Sequence, residues 1–343
     1  MKVQKKKAKA RQRFCHIKED KKGRFLLPMN SISQTARKVN DFSAWQEKKA
    51  ANIKMARRMG AAGFKRRAFL MEHCGDYIMF GKCEQCGNVE VQHANLCRDR
   101  LCPVCQWRLS RRLFSEMCRT LCYINDLDTY TAGFLTLTVK NCAVKDLAST
   151  LSKMAEAWNR MLASRQLKGF AAGWAKSVEI TYNAKTGEFH PHYHVIILYE
   201  DLLGEGRTRA LLNDLWKRAY KAAYQPITDF RVITEIAGDD ANMGAAIAET
   251  YKYAVKHDAC ENMPLNVFRE FVKQINGKRF QSYGGIIKRA RASLGLTEDE
   301  NAEEEGAKVC QRCGGELQQY IAEWSFTHSQ YQFILKARDK VSQ

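Results

Sequence analysis

No stretch of the sequence approaches eighteen consecutive apolar residues, so no transmembrane helix is expected. The N-terminus, MKVQKKKAKARQRF, starts with charge but has no apolar run behind it, which excludes the usual secretory signal. Without either, the expected compartment is reducing, a cytoplasm in which clustered cysteines more often bind metal than form disulfides. Acids are scarce: 37 Asp+Glu face 56 Lys+Arg, a net charge of +19. That surplus points to a polyanionic partner but does not choose among DNA, RNA and anionic surfaces. Histidine is scarce too, with eight in 343 residues. No internal repeat is visible. The remainder, 45% hydrophobic and 27% charged, is ordinary for folded protein and long enough for about two domains.

What is present is unevenly placed. Residues 1–24 carry eleven Lys/Arg against two acids, nearly half of the surplus. The segment reads as a solvated tail or as a basic arm lying along phosphates, with Lys5, Lys6, Lys7, Arg11 and Arg13 as its candidate DNA contacts. Helical spacing follows over 41–58 and 106–122. Residues 134–140 then alternate as a strand, 146–164 return to helical spacing, and strands are expected at 176–182 and 192–199. A helix at about 207–224, a strand at 228–236 and a helix at 240–257 complete a β-α-β-β-α-β-α order. That order fits an α+β domain with a mainly antiparallel sheet flanked by helices. Six acids in 297–305 read as a spacer before a short C-terminal module. The expected division is an arm and helix at 1–70, a zinc-binding segment at 71–125, the main domain at 126–296, an acidic linker at 297–308 and a CxxC module at 309–343.

The rare histidines cluster. Phe189-His-Pro-His-Tyr-His-Val195 sets His190, His192 and His194 two apart, and alternate residues of a strand share a face. A hairpin with the preceding strand would pair Thr181 with His190, Glu179 with His192 and Ser177 with His194. Glu179 then faces the same way as the imidazoles. A His/His/carboxylate set with open positions suits Mg²⁺ or Mn²⁺ acting on phosphate oxygens, and Zn²⁺ hydrolysis uses the same ligands.

Glu249-Thr-Tyr-Lys-Tyr-Ala-Val-Lys256 is a second cluster. On a regular helix Glu249 and Tyr253 share a face, Lys256 lies one turn on beside Lys252, and Tyr251 points about 200° away from Tyr253. Tyr253 is therefore the better nucleophile candidate. A phenol titrates near ~10, so nearby lysines and a polarising metal ion would help it attack.

The cysteines suggest structural metal. Cys83-x₂-Cys86 and Cys102-x₂-Cys105 have the spacing of a four-thiolate zinc site, with Arg98 and Arg100 in the loop able to touch DNA. Cys97 could replace one of the four or belong with Cys74, His73 or His93. Cys310 and Cys313 form a half-site open to completion by His328, an upstream cysteine or another chain, in a zinc-ribbon-like module.

Taken in order, Phe134-Leu-Thr-Leu-Thr-Val-Lys-Asn141, His190-Pro-His-Tyr-His-Val-Ile196 and Glu249–Lys256 resemble the three motifs of the HUH endonucleases. The likeness is greatest to one-tyrosine replication initiators of rolling-circle plasmids, and the segment Cys97–Arg108 resembles what precedes the first motif there. The resemblance implies an antiparallel sheet with metal-binding His192 and His194 on a central strand, His190 being a weaker ligand. It implies attack by Tyr253 on single-stranded origin DNA, giving a 5′-phosphotyrosine bond and a free 3′-OH. Glu249 matches the glutamate that activates water for termination. The partners implied are origin DNA and the host replication helicase and polymerase, in a bacterial cytoplasm. A transposase or relaxase shares the chemistry, and a non-catalytic zinc-ribbon protein shares the charge and the cysteines.

Overall fold

A computed structural model describes residues 18–19, 25–26, 42–124, 127–200, 204–233, 243–252, 255, 257–296 and 309–335. The chain divides into two compact units, one built on Leu109–Glu298, the other on His16–Arg108 with Asp299–Gln343. No helix among the described residues is long and apolar enough to cross a membrane.

The N-terminal unit starts with a two-residue ladder of β1 (Lys18–Glu19) and β2 (Phe25–Leu26). Two helices follow, α1 (Phe42–Ala61) and α2 (Lys65–Glu72). Helix α1 buries Trp45, Met55 and Met59, and also Lys49 and Asn52. Those two polar groups are matched to backbone acceptors. Lys49 donates to the carbonyls of Glu72 and Cys74, and Asn52 to that of Met71. The end of α2 is thereby fixed to α1. A hairpin of β3 (Tyr77–Cys83) and β4 (Val89–Ala94) comes next, then α3 (Pro103–Tyr123), within which the division between units falls.

The second unit holds a five-stranded sheet of β5 (Thr131–Thr138), β6 (Ala171–Asn183), β7 (Glu188–Tyr199), β8 (Thr228–Val232) and β9 (Gln281–Gly284). The order is β8-β5-β7-β6-β9, and every pairing is antiparallel. The histidine strand β7 is therefore central, and the chain is α+β as the residue patterns imply. The helices are α4 (Leu147–Ala163), the short α5 (Arg165–Lys168), α6 (Glu205–Tyr220), α7 (Met243–Thr250), α8 (His257–Asn262), α9 (Leu265–Gln274) and α10 (Gly285–Ser293). On one face of β7, Tyr193 meets Trp158 of α4 and Trp216 of α6, with ring centroids 6.4 and 6.1 Å apart. On the other face, Ile196 and Leu198 join a core with Leu113, Met117 and Leu121 of α3, Ala246 and Ile247 of α7 and Ile287 of α10. His192 and His194 continue that second face beyond the apolar core, as strand alternation requires.

The C-terminal strands β10 (Leu317–Ser325) and β11 (Gln330–Leu335) return to the first unit. Strand β10 pairs antiparallel with β3, giving the four-stranded order β11-β10-β3-β4. The cysteine-rich segment and the C-terminal CxxC module, read from the sequence as separate pieces, thus share one sheet. Chain distance does not limit which strands pair, and an upstream cysteine pair is one of the partners open to the C-terminal half-site.

One core residue has an energetic consequence. Lys176 of β6 is buried on the aromatic side of the sheet, its ammonium 3.8 Å from the Tyr193 ring centroid. Burial pushes its pKa down to about 7, with repulsion from Arg279 adding to the effect. Between that value and the ordinary lysine range the unfolded chain holds a proton that the folded chain does not, so stability rises with pH across this window. Lys176→Met is expected to raise the urea midpoint at pH 7 and to flatten the rise between pH 7 and about 10. An unchanged midpoint with an unchanged pH profile would count against this account.

Candidate metal centre and catalytic segment

The β6–β7 hairpin has the register that the histidine spacing implies: Thr181 opposite His190, Glu179 opposite His192 and Ser177 opposite His194. The turn fixes it locally. Asn183 accepts from the backbone N–H of Lys185 through its side chain, at 2.9 Å, and from that of Gly187 through its carbonyl, at 2.8 Å. Gly187 supplies the left-handed conformation the turn needs, at φ 71°. Cross-strand neighbours share a face, so Glu179 meets both imidazoles.

The three side chains converge. Glu179 Oε2 lies 2.8 Å from His192 Nε2 and 2.7 Å from His194 Nε2. The three candidate donor atoms all lie within 4.8 Å of one another, and all three residues are buried. The far side of each ring is also engaged. His192 Nδ1 is 3.3 Å from the His190 carbonyl and His194 Nδ1 is 3.4 Å from Thr136 Oγ1. Phe134 stacks on His194 at 5.4 Å with a 15° interplanar angle. In the neutral tautomer with the proton on Nδ1, toward that carbonyl, His192 offers its Nε2 lone pair to a metal ion. A carboxylate this buried calls for positive charge beside it, and its oxygen with the two imidazole nitrogens is a donor set that a divalent ion takes.

Lys252 supplies part of that positive charge. Its Nζ lies 2.7 Å from Glu179 Oε2, and it also pairs with Glu249. Glu249 Oε1 is 3.6 Å from His194 Nε2. Burial works against the Glu179 carboxylate, but hydrogen bonds from His192, His194 and Lys252 outweigh it and hold its pKa well below the carboxylate range. The site is layered: the Glu179 side chain is 4% exposed, whereas Lys252 and Glu249 are 31% and 43% exposed at its rim.

The rim residues are positioned by the end of a helix, not by a continuous one. Helix α7 stops at Thr250, short of the 240–257 span that spacing implies. Ser177 Oγ donates to the Thr250 carbonyl, and Thr250 Oγ1 donates to the Ala246 carbonyl at 2.8 Å. Tyr251, directly after α7, points into the core and is 2% exposed. There it joins Tyr283 in the core beside Arg291, which sits 4.0 Å over the Tyr283 ring and donates to Glu116 at 2.8 Å. Burial raises the Tyr251 phenol pKa well above its ordinary value. Glu249 and Lys252 reach the histidines from the end of α7, which Ser177 of β6 contacts. Helical spacing cannot be carried past Thr250, and Tyr253 and Lys256 lie outside the described residues.

The cysteines form two groups of four. Cys74, Cys97, Cys102 and Cys105 make one, and Cys83, Cys86, Cys310 and Cys313 the other. Sulfur separations are 3.5 to 3.7 Å in the first, for Cys74–Cys105, Cys74–Cys102 and Cys97–Cys105. In the second, Cys83–Cys313, Cys86–Cys313 and Cys86–Cys310 are 3.4, 3.4 and 3.6 Å apart. A tetrahedron of Zn–S bonds of about 2.3 Å sets sulfurs about 3.8 Å apart, close to what is seen, so both groups can hold zinc. Backbone N–H groups of Cys97, Arg98 and Cys105 also point at sulfur in the first group, the contact a thiolate accepts.

The family profile described as Replication protein matches residues 88–332. This chain belongs to the plasmid replication initiator family. It is 28% identical over 266 residues to a "Protein rep" of Streptococcus pneumoniae, covering 76% of this chain and 82% of that one. A "Protein rep" of Lentilactobacillus hilgardii is 27% identical, over 84% of this chain and 94% of its own. One of Lactiplantibacillus plantarum is 26% identical, over 88% and 99%. No solved structure matches the chain.

Within this initiator, His190 stands apart from the converging donors: its Nδ1 lies 2.9 Å from Asn141 Oδ1. The grouping of Cys83 and Cys86 with Cys102 and Cys105 does not form. The former pair sits at the turn of the β3–β4 hairpin and the latter beyond its open end, about 20 Å away for six residues of strand at about 3.3 Å each. Cys74, just ahead of β3, completes the set at the open end, and β10 brings Cys310 and Cys313 to the turn. Arg98 is exposed beside the first group, at φ 58°, and Arg100 is half-buried. Lys5, Lys6, Lys7, Arg11 and Arg13 lie outside the described residues. Thr136, Phe134 and Asn141 were not singled out individually by spacing, although the first motif contains all three.

The regrouping predicts a metal count. Purified protein is expected to hold two equivalents of thiolate-bound metal. Cys74→Ser and Cys310→Ser should each lose one equivalent, and together both. Loss of both from either single variant would contradict two separate sites.

Proposed function

We propose that this chain starts rolling-circle replication of a plasmid by nicking one strand of the origin and carrying it as a tyrosine ester. The observation that carries the reading is the convergence of Glu179, His192 and His194 on the central strand, with Glu249 and Lys252 at the rim, in a member of the replication initiator family. A divalent ion on those three ligands, Mg²⁺ or Mn²⁺, supplies charge that polarises the scissile phosphate.

The Tyr253 oxygen attacks phosphorus. A phosphorus–oxygen bond to tyrosine forms, the bond to the 3′-oxygen breaks, and that oxygen takes up a proton to leave as a free 3′-OH that primes synthesis. One phosphodiester replaces another, so the nick can be resealed without ATP. The burial and raised pKa of Tyr251 support Tyr253 as the nucleophile of the pair. Lys252 and Lys256 favour the phenolate and the phosphate by charge. Glu249, half-exposed beside the site, suits activation of water in the terminating cleavage, which would release the enzyme after one round. The basic arm grips origin duplex, Zn²⁺ fills both cysteine groups, and host helicase and polymerase follow the nick in the cytoplasm.

Tyr253→Phe is expected to abolish the covalent protein–DNA adduct on a denaturing gel while duplex origin binding persists; an undiminished adduct would sink this assignment. Glu249→Ala should still nick, but plasmid products longer than unit length should accumulate. Unit-length products from that variant would remove Glu249 from termination.

A further inference from the structure

We propose that α2 and the β10–β11 turn form a stacking platform on which unpaired bases of the origin strand rest, a proposal that builds on the origin-DNA reading above. The residues are Phe69, His73 and Phe326, flanked by Lys65 and Arg66.

Helix α2 uses its apolar residues in an unusual way. Of KRRAFLME only Met71 is buried, while Phe69 is 62% and Leu70 46% exposed. Phe326, in the turn after β10, is 47% exposed. These side chains are not scattered. The Phe69 ring lies 4.7 Å from that of His73, and His73 lies 5.8 Å from Phe326. The planes meet at 60° and 69°, so neither pair is stacked and each contact takes up at most one flat face of one ring. The platform is also held in place. The buried Lys49 ammonium lies 5.5 Å from the Phe326 ring centroid, and His73 Nδ1 is 2.7 Å from Asp76 Oδ2.

The surrounding charge selects the ligand. Lys65 and Arg66 are exposed on α2, and Lys65 is four residues, one helical turn, from Phe69. Two nearby acids are tied up internally: Asp76 by Lys49 and His73, and Asp99 by a two-pronged contact with Arg67 at 2.7 and 3.0 Å. Glu72, half-buried, is the one acid of α2 itself. The centre of a protein–protein patch is depleted in charge. Aromatic rings interleaved with basic side chains are instead what single-stranded nucleic acid uses, with bases on the rings and phosphates on the cations. An unwound origin offers such a strand.

The test uses full-length protein carrying Tyr253→Phe, so that binding is read without cleavage. Fluorescence anisotropy follows a single-stranded origin oligonucleotide and the matching duplex. Phe69→Ala with Phe326→Ala is expected to weaken single-strand binding about ten-fold or more, at unchanged thermal stability and unchanged salt dependence. Lys65→Gln with Arg66→Gln should instead reduce the logarithmic salt slope by about 1.4, at about 0.7 per phosphate contact. Phe69→Trp should lose emission on saturation with the oligonucleotide. Unchanged affinity in the double phenylalanine variant, or an unquenched Trp, overturns the platform. A drop in oligomeric mass without any loss of DNA affinity overturns it too, by assigning the patch to contacts between copies. Ring-dependent binding by a protein whose unmutated form makes no nick would leave the platform standing and remove the nickase reading.

Discussion

The site depends on one register. Strands β6 and β7 pair so that Ser177 opposes His194 and Glu179 opposes His192. A slip of one residue would turn every side chain of one strand to the other face. Glu179 would leave the histidines, and Val178 or Ile180 would stand opposite His192 in its place. The same alternation sends Lys176 into the aromatic layer with Trp158 and Tyr193, and Ser177 to the end of α7. Three functions of one strand, an acid for the site, a contact that holds a helix end and a buried amine, follow from a hairpin whose turn is set by Asn183 and Gly187.

Charge explains why the site has two layers. Glu179 and Glu249 bring two negative charges and Lys252 one positive, leaving one negative charge beside two imidazoles. A divalent ion would reverse that to one positive, the complement of a single phosphodiester. Lys252 and a metal ion would then compete for the same oxygen of Glu179. A flexible ammonium at the rim can yield that oxygen and turn towards a phosphate, whereas a buried one could not. The half-exposure of Lys252 and Glu249 is therefore as informative as the burial of Glu179.

The sequence announces what is local. Three histidines at alternate positions declare a strand face, and their hairpin partner follows from chain proximity and a glycine-bearing turn. Helix α4 buries Leu147, Leu151, Met154 and Trp158 as its spacing implies. Distant events are silent. Nothing near Thr250 signals that α7 ends there or that Ser177, on another strand, will donate to its carbonyl. Nothing in the fifteen residues between Cys86 and Cys102 shows that β4 carries the chain back along β3 and separates the two pairs. The Cys310–Cys313 half-site was visible as incomplete, but its partner was fixed by β10 pairing with β3, over two hundred residues apart. Helices α9 and α10 carry no chemical motif, and only the spacing of Phe268, Phe271 and Val272, or of Ile287 and Ala290, marks their inner faces.

That long pairing sets an order on assembly. The five strands of the larger sheet all lie within Leu109–Glu298, so that sheet can form as soon as β9 has been made. The other unit is interrupted by it. Its helices, the β3–β4 hairpin and the Cys74 group are complete early, but β10 and the second pair of thiols arrive last. Until then β3 presents an unpaired edge and Cys83 and Cys86 lack two ligands. Closing so long a loop carries an entropic cost that grows only with the logarithm of its length. A metal ion shared by Cys83, Cys86, Cys310 and Cys313 would offset what remains, because its binding free energy is available only once both ends of the unit have met. The thiolate group at the hairpin turn is then a clasp on the interrupted unit, while the group at the open end, built from residues close in sequence, is free to load first.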